Sequence, residues 1–178
     1  MSEWKTDRCV TLLRCAGTLA LVLVVGACNK PATKAAALEP GKDTACALDG
    51  MVLNDYPGPK AQIHFAEGAP EFFCDLTELF AIVLSPEQKR PVTGMFVQDM
   101  GKADWAQPRG HWIDARSAFY VVGSRKHGSM GPTFGAFAGM PDAEAFASKE
   151  GGKILRFDQI TLDMLSLRTG ATHDNSMH

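Results

Sequence analysis

The tetrapeptide Asp75-Leu76-Thr77-Glu78 constrains this chain more than any other stretch, because it fixes where a helix must begin. Aspartate at the N-cap and glutamate three residues later form the capping-box pattern, in which each side chain satisfies a backbone N–H that the first helical turn leaves without a partner. The apolar positions that follow, Leu76, Leu79, Phe80, Val83 and Leu84, keep the i, i+3, i+4, i+7, i+8 spacing of one helix face, and Pro86 ends the pattern. One apolar stripe on a short helix needs a sheet to cover it. The flanking segments supply strands: Ile63 and Phe65 alternate with polar residues in 61–65, and residues 91–100 place Met95 and Val97 on one face with Phe96, Gln98 and Met100 on the other. Met51-Val52-Leu53 reads as a further strand, joined to 61–65 by the turn signals Asn54 to Pro59.

The second half repeats the plan, with strands expected over 117–123, 132–138 and 154–160 and a helix over 141–150. The helix openings align at a constant offset, Cys74-Asp75-Leu76-Thr77-Glu78-Leu79-Phe80 against Met140-Pro141-Asp142-Ala143-Glu144-Ala145-Phe146. The expected fold class is therefore α+β, built from two similar ββαβ halves over residues 45–105 and 106–168. A short terminal helix fits 161–169, and the polar tail at 169–178 reads as disordered.

The first residues are of another kind. Lys5, Arg8 and Arg14 form a basic region, and Leu19 to Val25 is an apolar run too short to span a membrane, so residues 1–27 read as a secretory signal. It ends in Val25-Gly26-Ala27-Cys28, which resembles the bacterial lipobox and implies lipidation of Cys28 as the mature N-terminus. Asn29, rather than aspartate, follows that cysteine, which favours the outer membrane, facing the periplasm. Residues 28–44, rich in Pro, Ala and Lys, read as a flexible tether. Cleavage would remove Cys9 and Cys15, leaving Cys46 and Cys74 as the free pair in an oxidising compartment, where a disulfide is the default.

A formal net charge of −2 without a basic stripe argues against nucleic acid as partner. The motifs G-x-S-x-G, H-E-x-x-H and G-x-x-x-x-G-K-[ST] do not occur, so hydrolytic and nucleotide chemistry lack their usual residues. Cys46 and Cys74 are not a C-x-x-C pair, which weakens a thiol oxidoreductase reading. A thiol with nearby thioethers is the ligand set that selects Cu(I). Cys74 stands next to a helix N-terminus, whose positive end is expected to favour the thiolate. Met51 follows the flexible Gly50, with Asp49 before it; Met100 and Met130 beside strand ends or glycine, and Cys46, complete the candidates. His64 and His127 are expected to be solvated.

Cys28, then Cys46-Ala47-Leu48-Asp49-Gly50-Met51, Ala61-Gln62-Ile63, Ser117 to Gly123 and Gly128-Ser129-Met130-Gly131 together resemble the NosL family of periplasmic lipoproteins associated with nitrous oxide reductase maturation. The resemblance covers about 45–160. It implies a non-enzymatic copper chaperone whose two ββαβ halves are similar to the organomercurial lyase fold. It also implies Cu(I) as cargo and nitrous oxide reductase or its membrane-bound maturation complex as partner. Many members carry C-x-x-C-G-M, whereas Asp49 replaces the second cysteine here. That substitution makes Cys74 the leading thiolate ligand, with Met51 carried over and Asp49 as an oxygen ligand or supporting group. A disulfide-stapled assembly scaffold without metal is the alternative.

Overall fold

The computed structural model describes residues 35–166, so the signal segment, Cys28, the start of the tether and the tail lie outside the described residues. Ala61–Phe65 (β1) and Glu71–Phe73 (β2) pair antiparallel, the helix Leu76–Val83 (α1) follows, and Val92–Gln98 (β3) returns beside β1. Trp112–Asp114 (β4) completes an antiparallel sheet in the order β2-β1-β3-β4. Phe119–Val122 (β5) opens the second part of the chain, followed by a small hairpin of His127–Gly128 (β6) and Gly131–Pro132 (β7). Then come Gly135–Phe137 (β8), the helix Met140–Glu150 (α2), Lys153–Arg156 (β9) and the short helix Leu162–Ser166 (α3). Strands β8, β5 and β9 form a second antiparallel sheet in that order. The architecture is mixed α+β, with antiparallel sheets and few helices.

Both sheets share one core. Phe80 on α1 meets Tyr120 and Phe134 edge-on at 5.1 and 5.4 Å between ring centroids and packs against Phe157, while Leu76 and Leu79 press toward Ile63, Phe73 and Val97. The capping box forms as the sequence requires: Asp75 accepts from the Thr77 N–H at 2.8 Å and Glu78 reaches back to the Asp75 N–H at 3.3 Å. The Tyr120 hydroxyl, wholly buried, donates to the Ala115 carbonyl at 2.6 Å, so the ring fills the core without leaving its polar tip unpaired.

Several local expectations change. Residues 51–53 are not a strand: Val52 makes a single bridge to Ala45, and Leu53–Asp55 forms one 3₁₀ turn with Leu53 sealed in the core. The turn-forming residues from Asn54 onward pull the chain away before a ladder can grow. The strand expected over 154–160 stops at Arg156, whose N–H is taken by Gln159 Oε1 at 2.7 Å as the chain enters a 3₁₀ turn. The stretch 132–138 divides between β7 and β8. His64 is buried rather than solvated, with Nε2 2.7 Å from Gln62 Oε1 and its ring edge-on to Phe96.

The cover over that face is the segment whose composition suggests a tether. Gln62 presents an amide to the Leu38 backbone, accepting from its N–H at 2.9 Å and donating to its carbonyl at 2.8 Å, as a neighbouring strand would. Glu39 accepts from Trp112 Nε1 at 2.7 Å and from the Gly110 N–H, and Asn54 donates to the carbonyls of Gly41 and Lys42. Residues 38–42 are thus fastened to the domain.

Asp75 joins the two parts of the chain, since its Oδ1 also accepts from the Thr133 hydroxyl at 2.6 Å. Asp75→Ala should destabilise the fold by about 2–4 kcal/mol, combining a lost cap with the loss of the buried hydrogen bond from the Thr133 hydroxyl. Asp75→Asn, which keeps an acceptor oxygen, should lose less; urea denaturation of both variants checks this.

Candidate metal centre

A closed turn carries the first thiol. The Cys46 N–H donates to the Met51 carbonyl at 2.8 Å and the Gly50 N–H to the Cys46 carbonyl at 3.0 Å, with Gly50 at φ +78°, where a side chain would be strained. Asp49 Oδ1 accepts from the Met51 N–H at 2.9 Å, and the Ala47 N–H donates to the Phe72 carbonyl at 2.8 Å, which fastens the turn to β2. Cys74 stands at the end of β2, one residue before the N-cap of α1. The turn and the strand end therefore bring both sulfurs to one place.

Glu78 receives them. Its Oε2 lies 3.1 Å from Cys46 Sγ and 3.3 Å from Cys74 Sγ, and it also accepts from the Cys74 N–H at 3.1 Å. Asp49 Oδ2 is 3.7 Å and Ser129 Oγ 3.1 Å from Cys74 Sγ. One donor atom from each of Cys46, Asp49, Cys74 and Glu78 lies within 4.8 Å of the other three, an arrangement that can hold a metal ion. Both cysteines are free and buried, while Asp49 is exposed and marks the solvent side. Glu78 Oε1 is buried without a hydrogen-bond partner among the described residues, so the cluster keeps one unsatisfied carboxyl oxygen.

The electrostatics correct the expectation for Cys74. Burial is the largest influence and pushes its thiol well above the ordinary range; the Ser129 hydroxyl opposes this, while Glu78 and Cys46 add to it. The helix N-terminus does not rescue the thiolate because two carboxylates already occupy it, Glu78 on the N–H groups of Cys74 and Asp75 and Asp75 on that of Thr77. Burial also raises Cys46, against hydrogen bonds from nearby backbone N–H groups, and raises Glu78. At Asp49 slight burial is outweighed by the Met51 N–H and by Cys46, Glu78 and Cys74, and its carboxyl is lowered. Beneath the pair, Lys60 is pushed down to about 8 by burial, against the pull of Cys74, Asp75, Glu78 and Cys46.

The candidates read from sequence separate. Cys46, Asp49 and Cys74 come together. Met51 is half-buried against the main core, with its backbone built into the Cys46 turn. Met100 packs against a separate cluster of Val121, Phe137 and Ala143. Met130 stands 68% exposed in the β6–β7 turn, next to Ser129. Glu78 is visible in the sequence only as a helix cap, although an N3 glutamate that reaches back to the N-cap also reaches the residue before it. Ser129 has no local signal.

The family profile described as NosL matches residues 37–165. The chain belongs to the NosL family. A "Copper-binding lipoprotein NosL" of Stutzerimonas stutzeri is 37% identical over 172 residues, 90% of each chain. A protein of the same description from Achromobacter cycloclastes is 46% identical over 117 residues, covering 62% of this chain and 60% of that one. The crystal structure of the copper chaperone NosL from Shewanella denitrificans superposes with a TM-score of 0.69 at 39% identity, covering 74% of this chain and 98% of that one.

For this NosL-family chain the raised thiols have a direct kinetic consequence, because only the thiolate alkylates. Iodoacetamide at about pH 7.5 should modify both cysteines of the reduced native protein at least about tenfold more slowly than in urea. The native rate should climb only above the ordinary thiol range; equal rates at neutral pH would contradict the burial argument.

Proposed function

We propose that this chain binds Cu(I) as cargo at the Cys46–Cys74 pair and delivers it, without catalysing a reaction, during assembly of the copper sites of nitrous oxide reductase. The observation that carries the reading is the meeting of two free sulfurs on one buried carboxylate oxygen, with an exposed aspartate at the rim. Thiolates are soft donors suited to Cu(I), and the relatives are named for copper. The dominant ligand is the Cys74 thiolate, with Cys46 as the second thiolate and the Met51 thioether beside the same turn. Asp49 serves as an oxygen ligand or an acceptor at the rim. The exposure of Met130 beside Ser129 supports a contact with copper at the surface, whereas the packing of Met100 among Val121, Phe137 and Ala143 argues against a role.

Uptake exchanges two thiol protons for one metal ion, 2 RSH + Cu⁺ → Cu(SR)₂⁻ + 2 H⁺, so binding weakens as pH falls. A chaperone must release its cargo, and few ligands under a small rim suit release better than a closed cage. The relatives' description as lipoproteins supports anchoring through Cys28 at the periplasmic face of a membrane, the outer membrane by our reading of Asn29. The receiving partner is the reductase or its membrane-bound maturation complex. The two sheets, each with its first strand at the centre of a β-β-α-β succession, support reading residues 45–105 and 106–168 as two ββαβ halves of the organomercurial-lyase type.

The closeness of the two sulfurs favours one other reading, a scaffold stapled by a Cys46–Cys74 disulfide. Thiol counting on periplasmic protein separates them, with two titratable thiols expected for the chaperone and none for the scaffold. Competition with a Cu(I) chelator on reduced protein tests the ligands. Cys74→Ser should weaken binding about a hundredfold or more, and Met51→Leu by a smaller factor. Met100→Leu should change nothing, and unchanged affinity in Cys74→Ser would end the proposal.

A further inference from the structure

The β6–β7 hairpin has two residues on each leg and pairs with no other strand among the described residues. A two-stranded hairpin of that size does not hold its place in water through its own hydrogen bonds. Its tip nevertheless carries Ser129 Oγ to within 3.1 Å of Cys74 Sγ, so its position is fixed from outside. On the β7 side, Thr133 donates to the Asp75 carboxylate. On the β6 side, His127 stands opposite Pro132, which has no N–H to offer, and the His127 carbonyl accepts instead from Trp105 Nε1 at 2.9 Å. The Trp105 ring stacks on Phe146 of α2, with 5.3 Å between centroids and 19° between planes, and Lys126 Nζ lies 5.6 Å from the ring centre. The Trp105 carbonyl accepts from the Gly58 N–H at 2.8 Å, and a Cβ on Gly58 would come within 3.0 Å of the Gly128 Cα. Trp105 thus ties α2 and the loop around Gly58 to the base of the hairpin. It is half-buried and belongs to neither core cluster of the described residues.

We propose that Trp105 is a positioning residue of the metal site, clamping the β6 leg so that Ser129 stays over Cys74 and cargo leaves slowly. This role rests on the copper site proposed for Cys46 and Cys74, and Trp105 acts on it through the hairpin. The cover is one-sided. Ser129 meets Cys74, whereas Cys46 sits in its own turn, closed by hydrogen bonds with Gly50 and Met51 and fastened to β2 through Ala47. With the indole gone, the hairpin is left hinged at Thr133 and its tip swings off Cys74 while the Cys46 turn keeps its bonds. A general loss of stability exposes both cysteines together, because both then open only through unfolding of the shared core. This asymmetry separates a positioning role from a merely structural one. An uncovered Cys74 also admits incoming ligands to bound copper, so the change is felt in the rate at which cargo departs.

The test reads the two cysteines separately. Reduced, metal-free protein is treated with iodoacetamide at about pH 7.5, and mass spectrometry of its peptides gives a rate for each thiol. Trp105→Leu removes both the N–H and the aromatic stack. Trp105→Phe keeps a ring against Phe146 and loses only the N–H, and it carries the test should the leucine variant fail to fold. The Cys74 rate should rise about tenfold in the leucine variant and about fivefold in the phenylalanine variant, with Cys46 changing less than about twofold in either. Copper release to a Cu(I) chelator from the loaded variants should quicken by similar factors. Equal rises at both cysteines would mean that Trp105 only stabilises the fold. An unchanged Cys74 rate would mean that the hairpin holds without it, and unchanged copper release beside an uncovered Cys74 would mean that the cover does not govern cargo. Each of these overturns the proposal. Cys74→Ser, run alongside, separates this claim from its foundation. If that variant binds Cu(I) as the parent does, the copper site is misplaced, while the alkylation rates, read without metal, still decide whether Trp105 holds the cover.

Discussion

The oxygen Glu78 Oε2 is where this structure is tied together. It takes the N–H groups of Cys74 and Asp75, which starts α1, and lies within 3.3 Å of both sulfurs, which brings the Cys46 turn against the end of β2. One buried acceptor with several donors is far cheaper than a buried carboxylate standing alone. Local helix capping and the long-range convergence of two cysteines are therefore the same interaction. Its other oxygen, Oε1, is buried with no hydrogen-bond partner among the described residues, and burial raises the Glu78 carboxyl.

The second part of the chain completes the site from a distance. Phe134 and Tyr120 close the core over Phe80, and Thr133 reaches the Asp75 carboxylate, so the β6–β7 turn is held where Ser129 meets Cys74. Gly128 has no room for a side chain, since a Cβ there would strike the Asp75 carboxylate and Thr133. A thiol made in the first half is thus covered by a hydroxyl from the second.

What the sequence reveals follows from the range of the forces involved. Helix α1, its capping box and strands β1, β3 and β5 are legible because periodicity and capping are local. Residues 38–42 are misjudged because a Pro/Ala/Lys composition does not show that the Gln62 amide will pair with the Leu38 backbone. His64 is misjudged for the same reason, its cover coming from segments far away in the chain. Proximity to a helix N-terminus points to an acidic Cys74 thiol, but the rule omits burial and the carboxylates that already hold that terminus. Asp49 and Cys74 are legible as residue types, and their meeting with Cys46 is not, because it depends on the Ala47 to Phe72 hydrogen bond across the edge of β2.

Everything proposed for this chain turns on both sulfurs meeting one ion. X-ray absorption at the copper edge, on Cu(I)-loaded reduced protein, decides this when the parent is compared with Cys46→Ser and Cys74→Ser at equal copper content. A sulfur-dominated shell is expected in the parent, losing sulfur in each serine variant. A shell dominated by nitrogen or oxygen, or one unchanged by either substitution, would contradict it.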